Sequence, residues 1–210
     1  MKKLQVALDL NSTEQAIKIL DDIVEYVDII ELGTPLMINE GKSVIKEIKK
    51  RYPEKIIFAD IKIMDGAKIM SDIVFKAGAD MVSVLGAAND TTIQEVIDNA
   101  KKYNAKVLVD MCAVKDLQQR AQKVSEWNPD YICVHVGFDI QDTGADPVEE
   151  IRKIQDINCK KAAAGGINLL NFESACQSDI DVIIVGGGIY NSNNPKETAK
   201  KMYEIINNYR

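Results

Sequence analysis

The sequence predicts an α/β protein: a single (β/α)8 TIM barrel, one catalytic domain over residues 1–210. Three observations carry this. Short apolar, β-branched runs recur eight times, and longer segments with helical spacing lie between them. Paired glycine clusters follow the last two runs, where barrels commonly hold phosphate. An open doubly wound sheet is the alternative, but eight units in a short chain favour closure.

The expected strands run approximately over 4–10, 27–32, 56–61, 80–85, 106–111, 131–135, 161–165 and 181–186. Asn11-Ser12-Thr13-Glu14 supplies capping residues for the first helix, whose apolar positions are Ala16, Ile17, Leu20, Ile23 and Val24. Pro195 suits the first turn of the last helix. No linker, low-complexity segment or repeat beyond the βα rhythm interrupts the series.

Composition excludes several classes. An apolar share of 46% supports a substantial core, and a net charge of −6 argues against a nucleic-acid partner. The run Lys46-Glu47-Ile48-Lys49-Lys50-Arg51 reads as the solvated, cationic end of a helix. Cys112, Cys133, Cys159 and Cys176 are scattered without a C-x-x-C pair, which suits free thiols rather than disulfides or zinc. No apolar stretch approaches the ~20 residues needed to cross a bilayer, so no membrane association and a cytoplasmic location are expected.

Side chains two apart share a strand face. By that rule Asp9 follows Ala7, Glu31 follows Ile29, Asp60 and Lys62 follow Phe58, Asp110 follows Leu108, and His135 follows Cys133. Several strand ends thus turn ionisable on one potential inner face. Burying each charge alone would be costly, so a shared polar site is the economical reading. With Asp65 these groups sum to −4, which should recruit a divalent cation, and oxygen donors favour Mg2+. Blander readings stand beside this one. Asp9 and Asp110 could cap helices, Glu31 could pair at the surface, and His135 could be structural.

Asp60-x-Lys62-x-x-Asp65 is more specific than any isolated charge. Acids around a lysine hold it ionised, giving a fixed cation able to stabilise an enediolate. A surface ion-pair cluster is the alternative. Gly165-Gly166 and Gly186-Gly187-Gly188 expose backbone N–H groups and point together to a phosphate.

These segments resemble the orotidine-phosphate decarboxylase superfamily over essentially the whole chain. The residues that carry the likeness are Val6-Ala7-Leu8-Asp9, Ile30-Glu31-Leu32-Gly33-Thr34-Pro35, Ala59 through Asp65, Val134 through Asp139, Ala164-Gly165-Gly166-Ile167 and Val185 through Ile189. The Asp-x-Lys-x-x-Asp motif marks the superfamily rather than one reaction. The resemblance is strongest to an aldol-forming branch. A branch that decarboxylates 3-keto-L-gulonate 6-phosphate usually carries arginines where this chain has His135-Val136-Gly137-Phe138-Asp139 and Gly186-Gly187-Gly188. Two positions depart from the aldol pattern: Gly66-Ala67, where alanine often precedes glycine, and Val136, where threonine is frequent.

The resemblance implies an Mg2+-dependent aldol addition of D-ribulose 5-phosphate to formaldehyde. It implies Glu31 and Asp60 as metal ligands, Lys62 on the enediolate oxygen and His135 as the base at C1. Asp9 would support the network, and Asp65 would orient the lysine near the interface of a homodimer. A catalytically silent sugar-phosphate-binding barrel is the reading outside enzymes.

Overall fold

The computed structural model describes residues 1–210, with side chains for all but 142 and 143. Eight parallel strands close in chain order: β1 (Lys3–Leu8), β2 (Ile29–Leu32), β3 (Ile56–Ile63), β4 (Met81–Leu85), β5 (Lys106–Asp110), β6 (Tyr131–His135), β7 (Lys161–Ala164) and β8 (Val182–Val185). The barrel shuts where β8 pairs with β1, Gln5 lying opposite Ile184. Around it lie α1 (Thr13–Ile23), α2 (Thr34–Glu40), α3 (Lys42–Arg51), α4 (Ala67–Ala77), α5 (Asp90–Lys102), α6 (Leu117–Ser125), α7 (Pro147–Glu150), α8 (Phe172–Gln177), α9 (Gly187–Tyr190) and α10 (Pro195–Asn207).

Strand alternation divides the apolar residues into two cores. Ala7, Ile29, Phe58, Met81, Leu108, Tyr131, Cys133, Ala162 and Ile184 fill the barrel interior. Their neighbours Val6, Ile30, Ile57, Val82, Val109, Ile132 and Ile183 face outward into the helix layer. The inner set therefore fixes which strand-end residues look into the mouth. Ser12 caps α1 by accepting from Gln15 N at 3.3 Å, and Asn194 caps α10 ahead of Pro195. The basic run ends α3, where Lys49 bonds Asp80 and Arg51 bonds Asp21.

Some expected boundaries move. β1 stops at Leu8, leaving Asp9 on the loop, and β2 begins at Ile29 because Val24–Tyr26 forms a 3-10 turn. After β6 the chain does not form one long helix. Gly137, Gly144 at φ 83° and Pro147 break it into two 3-10 turns around α7. Cys133 and Cys176 are buried, Cys112 and Cys159 are half-buried, and all four are free thiols.

One irregularity matters for function. Ala59 lies opposite Val82 and Ile63 opposite Val84, so β3 advances four residues while β4 advances two. The extra two residues form a bulge at Asp60–Lys62, with Lys62 left-handed at φ 44°. That conformation costs a non-glycine residue about 1–2 kcal/mol. An insertion of two preserves the period-two facing, so Ala59 and Ile63 both remain in the outer core.

Candidate active site

The barrel mouth gathers the ionisable strand ends into one connected network. Asp60 is buried at its centre. Its Oδ1 accepts from Ser83 Oγ at 2.7 Å, and its Oδ2 lies 2.8 Å from Thr34 Oγ1 and forms an ion pair with Lys62 Nζ. Lys62 Nζ also reaches Thr34 Oγ1 at 3.3 Å and Asp110 Oδ2 at 3.8 Å. Its ammonium thus sits between two carboxylates on separate strands. Burial alone would lower the lysine pKa, but Asp60, Asp110 and Glu31 raise it above its ordinary value. It is a permanent cation at neutral pH.

Asp110 links the lysine to the histidine. Its Oδ2 lies 2.8 Å from His135 Nδ1, and Cys112 N donates to its Oδ1 at 2.9 Å. Burial pushes the Asp110 carboxyl upward, but the bond from His135, Lys62 and the Cys112 amide together hold it below the ordinary range. An ionised Asp110 accepts from Nδ1–H, so in the neutral ring it is Nε2 that carries the lone pair. His135 is half-buried, and Nε2 makes no hydrogen bond among the described residues.

Glu31 sits on the other side of Asp60. Gln5 Nε2 donates to its Oε2 at 2.6 Å from inside the barrel. Gln5 Oε1 is buried without a partner among the described residues. Burial, then Asp60 and Asp9, drive the Glu31 pKa well above its ordinary value. Asp9 reaches solvent, but shielding by the mouth walls and the charge of Asp60 still raise its carboxyl pKa. Asp9 lies so close over Gly33 that any Cβ there would strike its carboxylate.

Among the described residues, no three His, Cys, Asp or Glu side chains converge as a ready-made metal cage. Two mutually repelling buried carboxylates, Glu31 and Asp60, nevertheless suit a hard dication that completes its shell with water and substrate oxygens. The donor chemistry fits Mg2+. On the far side of the mouth, a Cβ on Gly188 would strike Ile167 O and approach Asn168 Cα to 3.1 Å. Gly165 likewise packs directly on Val136 O, and Gly165 and Gly166 have φ of 99° and 71°. The two glycine loops therefore touch, and Gly187 and Gly188 open α9 ahead of its first backbone bonds, which Ile189 N and Tyr190 N donate to Gly186 O.

The expected residues thus divide clearly. Glu31, Asp60, Lys62, Asp110 and His135 form the network. Asp9 borders it electrostatically, and the glycines form the opposite rim. Neither Asp9 nor Asp110 is a helix cap: Ser12 and Asp116 do that work. Asp65 is exposed beyond β3 and has no hydrogen bond or ion pair among the described residues of this chain. Sequence reasoning missed Thr34, Gln5 and Ser83. Gln5 and Ser83 share the inner face with Ala7 and Met81, so the same two-residue rule reaches both, but neutral side chains raised no charge signal.

A closed barrel with a lysine–carboxylate–histidine network at one mouth and two glycine loops opposite is the arrangement of an enzyme active site. Residues 2–202 match the model of the Orotidine 5'-phosphate decarboxylase / HUMPS family, and the chain belongs to that family. A protein of Bacillus subtilis (strain 168) named 3-hexulose-6-phosphate synthase is 44% identical over 208 residues, covering 97% of this chain and 98% of the relative. The crystal structure of 3-hexulose-6-phosphate synthase from Salmonella typhimurium superposes with a TM-score of 0.96 at 38% identity, covering 99% of this chain and 100% of that one. The 3-keto-L-gulonate-6-phosphate decarboxylase of Vibrio cholerae shares the fold, with a TM-score of 0.88 over 100% of this chain and 99% of its own, at 24% identity.

Proposed function

We propose that this chain is a lyase catalysing the 3-hexulose-6-phosphate synthase reaction, joining D-ribulose 5-phosphate to formaldehyde to give D-arabino-3-hexulose 6-phosphate. The observation that carries this reading is Asp110, which holds His135 by Nδ1 and faces the Lys62 ammonium. One carboxylate thus sets a base and a cation side by side, as proton removal next to a carbonyl requires.

In this reading the glycine loops hold the substrate phosphate and the sugar spans the mouth. His135 Nε2 takes a proton from C1, the electron pair of that C–H bond forms the C1–C2 double bond, and the C2=O π pair moves onto O2. Lys62 faces the resulting enediolate oxygen, its ammonium oriented by Asp60 and Thr34. C1 then attacks the formaldehyde carbon, and the imidazolium proton is available to the new alkoxide. Glu31 and Asp60 would hold Mg2+, which when bound supplies Lewis-acid polarisation of the ketone. Asp9 shapes the field around this pair.

Aldol addition is favoured over decarboxylation by the relatives at higher identity bearing the synthase name, and by the lack of arginine at 135–139 and 186–188. The chemistry suits formaldehyde fixation in the ribulose monophosphate route of one-carbon metabolism, in the cytoplasm. No helix among the described residues is long and apolar enough to cross a membrane. A homodimer is part of the proposal. Ile38, Met64, Ile69, Met70 and Ile73 are 38–77% exposed on α2, α4 and the end of β3, flanking Asp65. Such a patch suits a second copy that brings its Asp65 toward Lys62.

The base assignment is tested by His135→Asn in deuterated water with ribulose 5-phosphate alone. Loss of C1 proton exchange is expected. Exchange at the wild-type rate would assign the proton to another group.

A further inference from the structure

We infer that Ser83 is a positioning residue for Lys62, holding the bulge that aims the ammonium. The inference rests on the proposed role of Lys62, although the geometry stands without it. Where β3 slips by two residues against β4, the regular ladder cannot serve the amide of Lys62. Ser83 Oγ takes its place, accepting from Lys62 N at 2.8 Å. The same oxygen donates its single proton to Asp60 Oδ1 at 2.7 Å.

Ser83 is completely buried, and its neighbours Val82 and Val84 form the two pairs that bracket the slip. One hydroxyl therefore closes a small ring through the Lys62 backbone and the Asp60 carboxylate. It fixes the left-handed backbone at Lys62 and the orientation of the carboxylate that pairs with Nζ. Without the hydroxyl the Lys62 amide and Asp60 Oδ1 would both lose their partners. A buried N–H without an acceptor is costly, so the bulge would relax and carry the lysine away from its aim.

Thr34 does not duplicate this function. Its hydroxyl reaches Asp60 and the lysine tip, whereas the Ser83 hydroxyl accepts from the lysine backbone N–H. Nothing in the arrangement gives Ser83 contact with a sugar phosphate, so its effect should fall on turnover rather than on binding.

The experiment compares Ser83→Ala and Ser83→Thr with the wild type, reading kcat, KM and hydrogen exchange at the Lys62 amide. Ser83→Ala should lower kcat by roughly 10–100-fold with KM within about threefold, and Lys62 N–H should exchange faster. Ser83→Thr, which keeps the hydroxyl on a β-branched side chain suited to a strand, should restore both. If Ser83→Ala does not fold, Ser83→Cys keeps the volume with a weaker hydrogen-bonding group and replaces it. Wild-type turnover in the alanine variant, or an amide as protected as before, would overturn the inference. A wild type that forms no aldol product would instead count against the proposed reaction, and the amide exchange would still decide the role of Ser83.

Discussion

Asp110 Oδ2 lies 2.8 Å from His135 Nδ1 and 3.8 Å from Lys62 Nζ, so a single buried oxygen joins the base to the cation. An asparagine amide could turn either its oxygen or its NH2 toward Nδ1, and would remove the charge that selects the Nδ1–H form. Asp110→Asn should therefore reduce turnover by about 10²–10⁴-fold, the range associated with a general base. The check is C1 proton exchange, which must fall in parallel with kcat.

The same carboxyl predicts a pH dependence of stability. Its folded pKa is depressed, so its stabilising contribution is complete above the ordinary value of 3.8 and is lost as pH falls through the lowered value. Denaturant titration should find Asp110→Asn less stable than the wild type near pH 7. The gap should narrow as pH falls below 3.8 and close once it has passed through the lowered folded value.

Glu31 predicts the opposite behaviour toward charge removal. In EDTA, Glu31→Gln should melt at a higher temperature than the wild type, because it removes a buried charge that faces Asp60 and Asp9. In Mg2+ the order should reverse. A ligand at 100 times its Kd stabilises by about 2.7 kcal/mol, a gain the variant should lack. Thermal melts with and without the ion make the comparison, and an equal Mg2+ effect on both proteins would remove Glu31 from the metal site.

Gly188 tests the phosphate rim. Its backbone leaves no room for a Cβ beside Ile167 O, so Gly188→Ala must push the two glycine loops apart. Overpacking of this kind costs about 1–3 kcal/mol. Its consequence should appear as a raised KM for the sugar phosphate and weaker inhibition by inorganic phosphate, with kcat less affected.

The barrel and most of its site were legible because both follow from a period of two. Ala7, Ile29, Phe58, Leu108 and Cys133 fill the interior, so the charged residues two positions further on face the mouth. The bulge at Asp60–Lys62 was not legible, since the pattern of apolar residues is the same with and without a two-residue slip. Thr34 was hidden for a different reason: it starts a helix, and only the fold brings α2 over the end of β3. The broken segment after β6 was foreshadowed by Gly137, Gly144 and Pro147, but helical spacing alone masked it.

Asp65 carries the prediction about assembly. If it acts on the partner's Lys62, Lys62→Ala and Asp65→Ala should each be nearly inactive alone. Mixing and re-equilibrating the two should restore roughly a quarter of wild-type activity, because half the dimers are mixed and each has one intact site. No recovery in mixed dimers, verified by mass spectrometry, would place Asp65 outside the neighbouring site. Ile69→Lys, at a 71% exposed member of this apolar set on α4, should shift the protein toward monomer in sedimentation and lower activity with it.

The most direct measurement is product analysis of the purified protein with Mg2+, D-ribulose 5-phosphate and formaldehyde. A hexulose 6-phosphate bearing the formaldehyde carbon at C1 is expected, with no product from Lys62→Ala. Absence of that product, together with CO2 release from 3-keto-L-gulonate 6-phosphate, would overturn the synthase assignment.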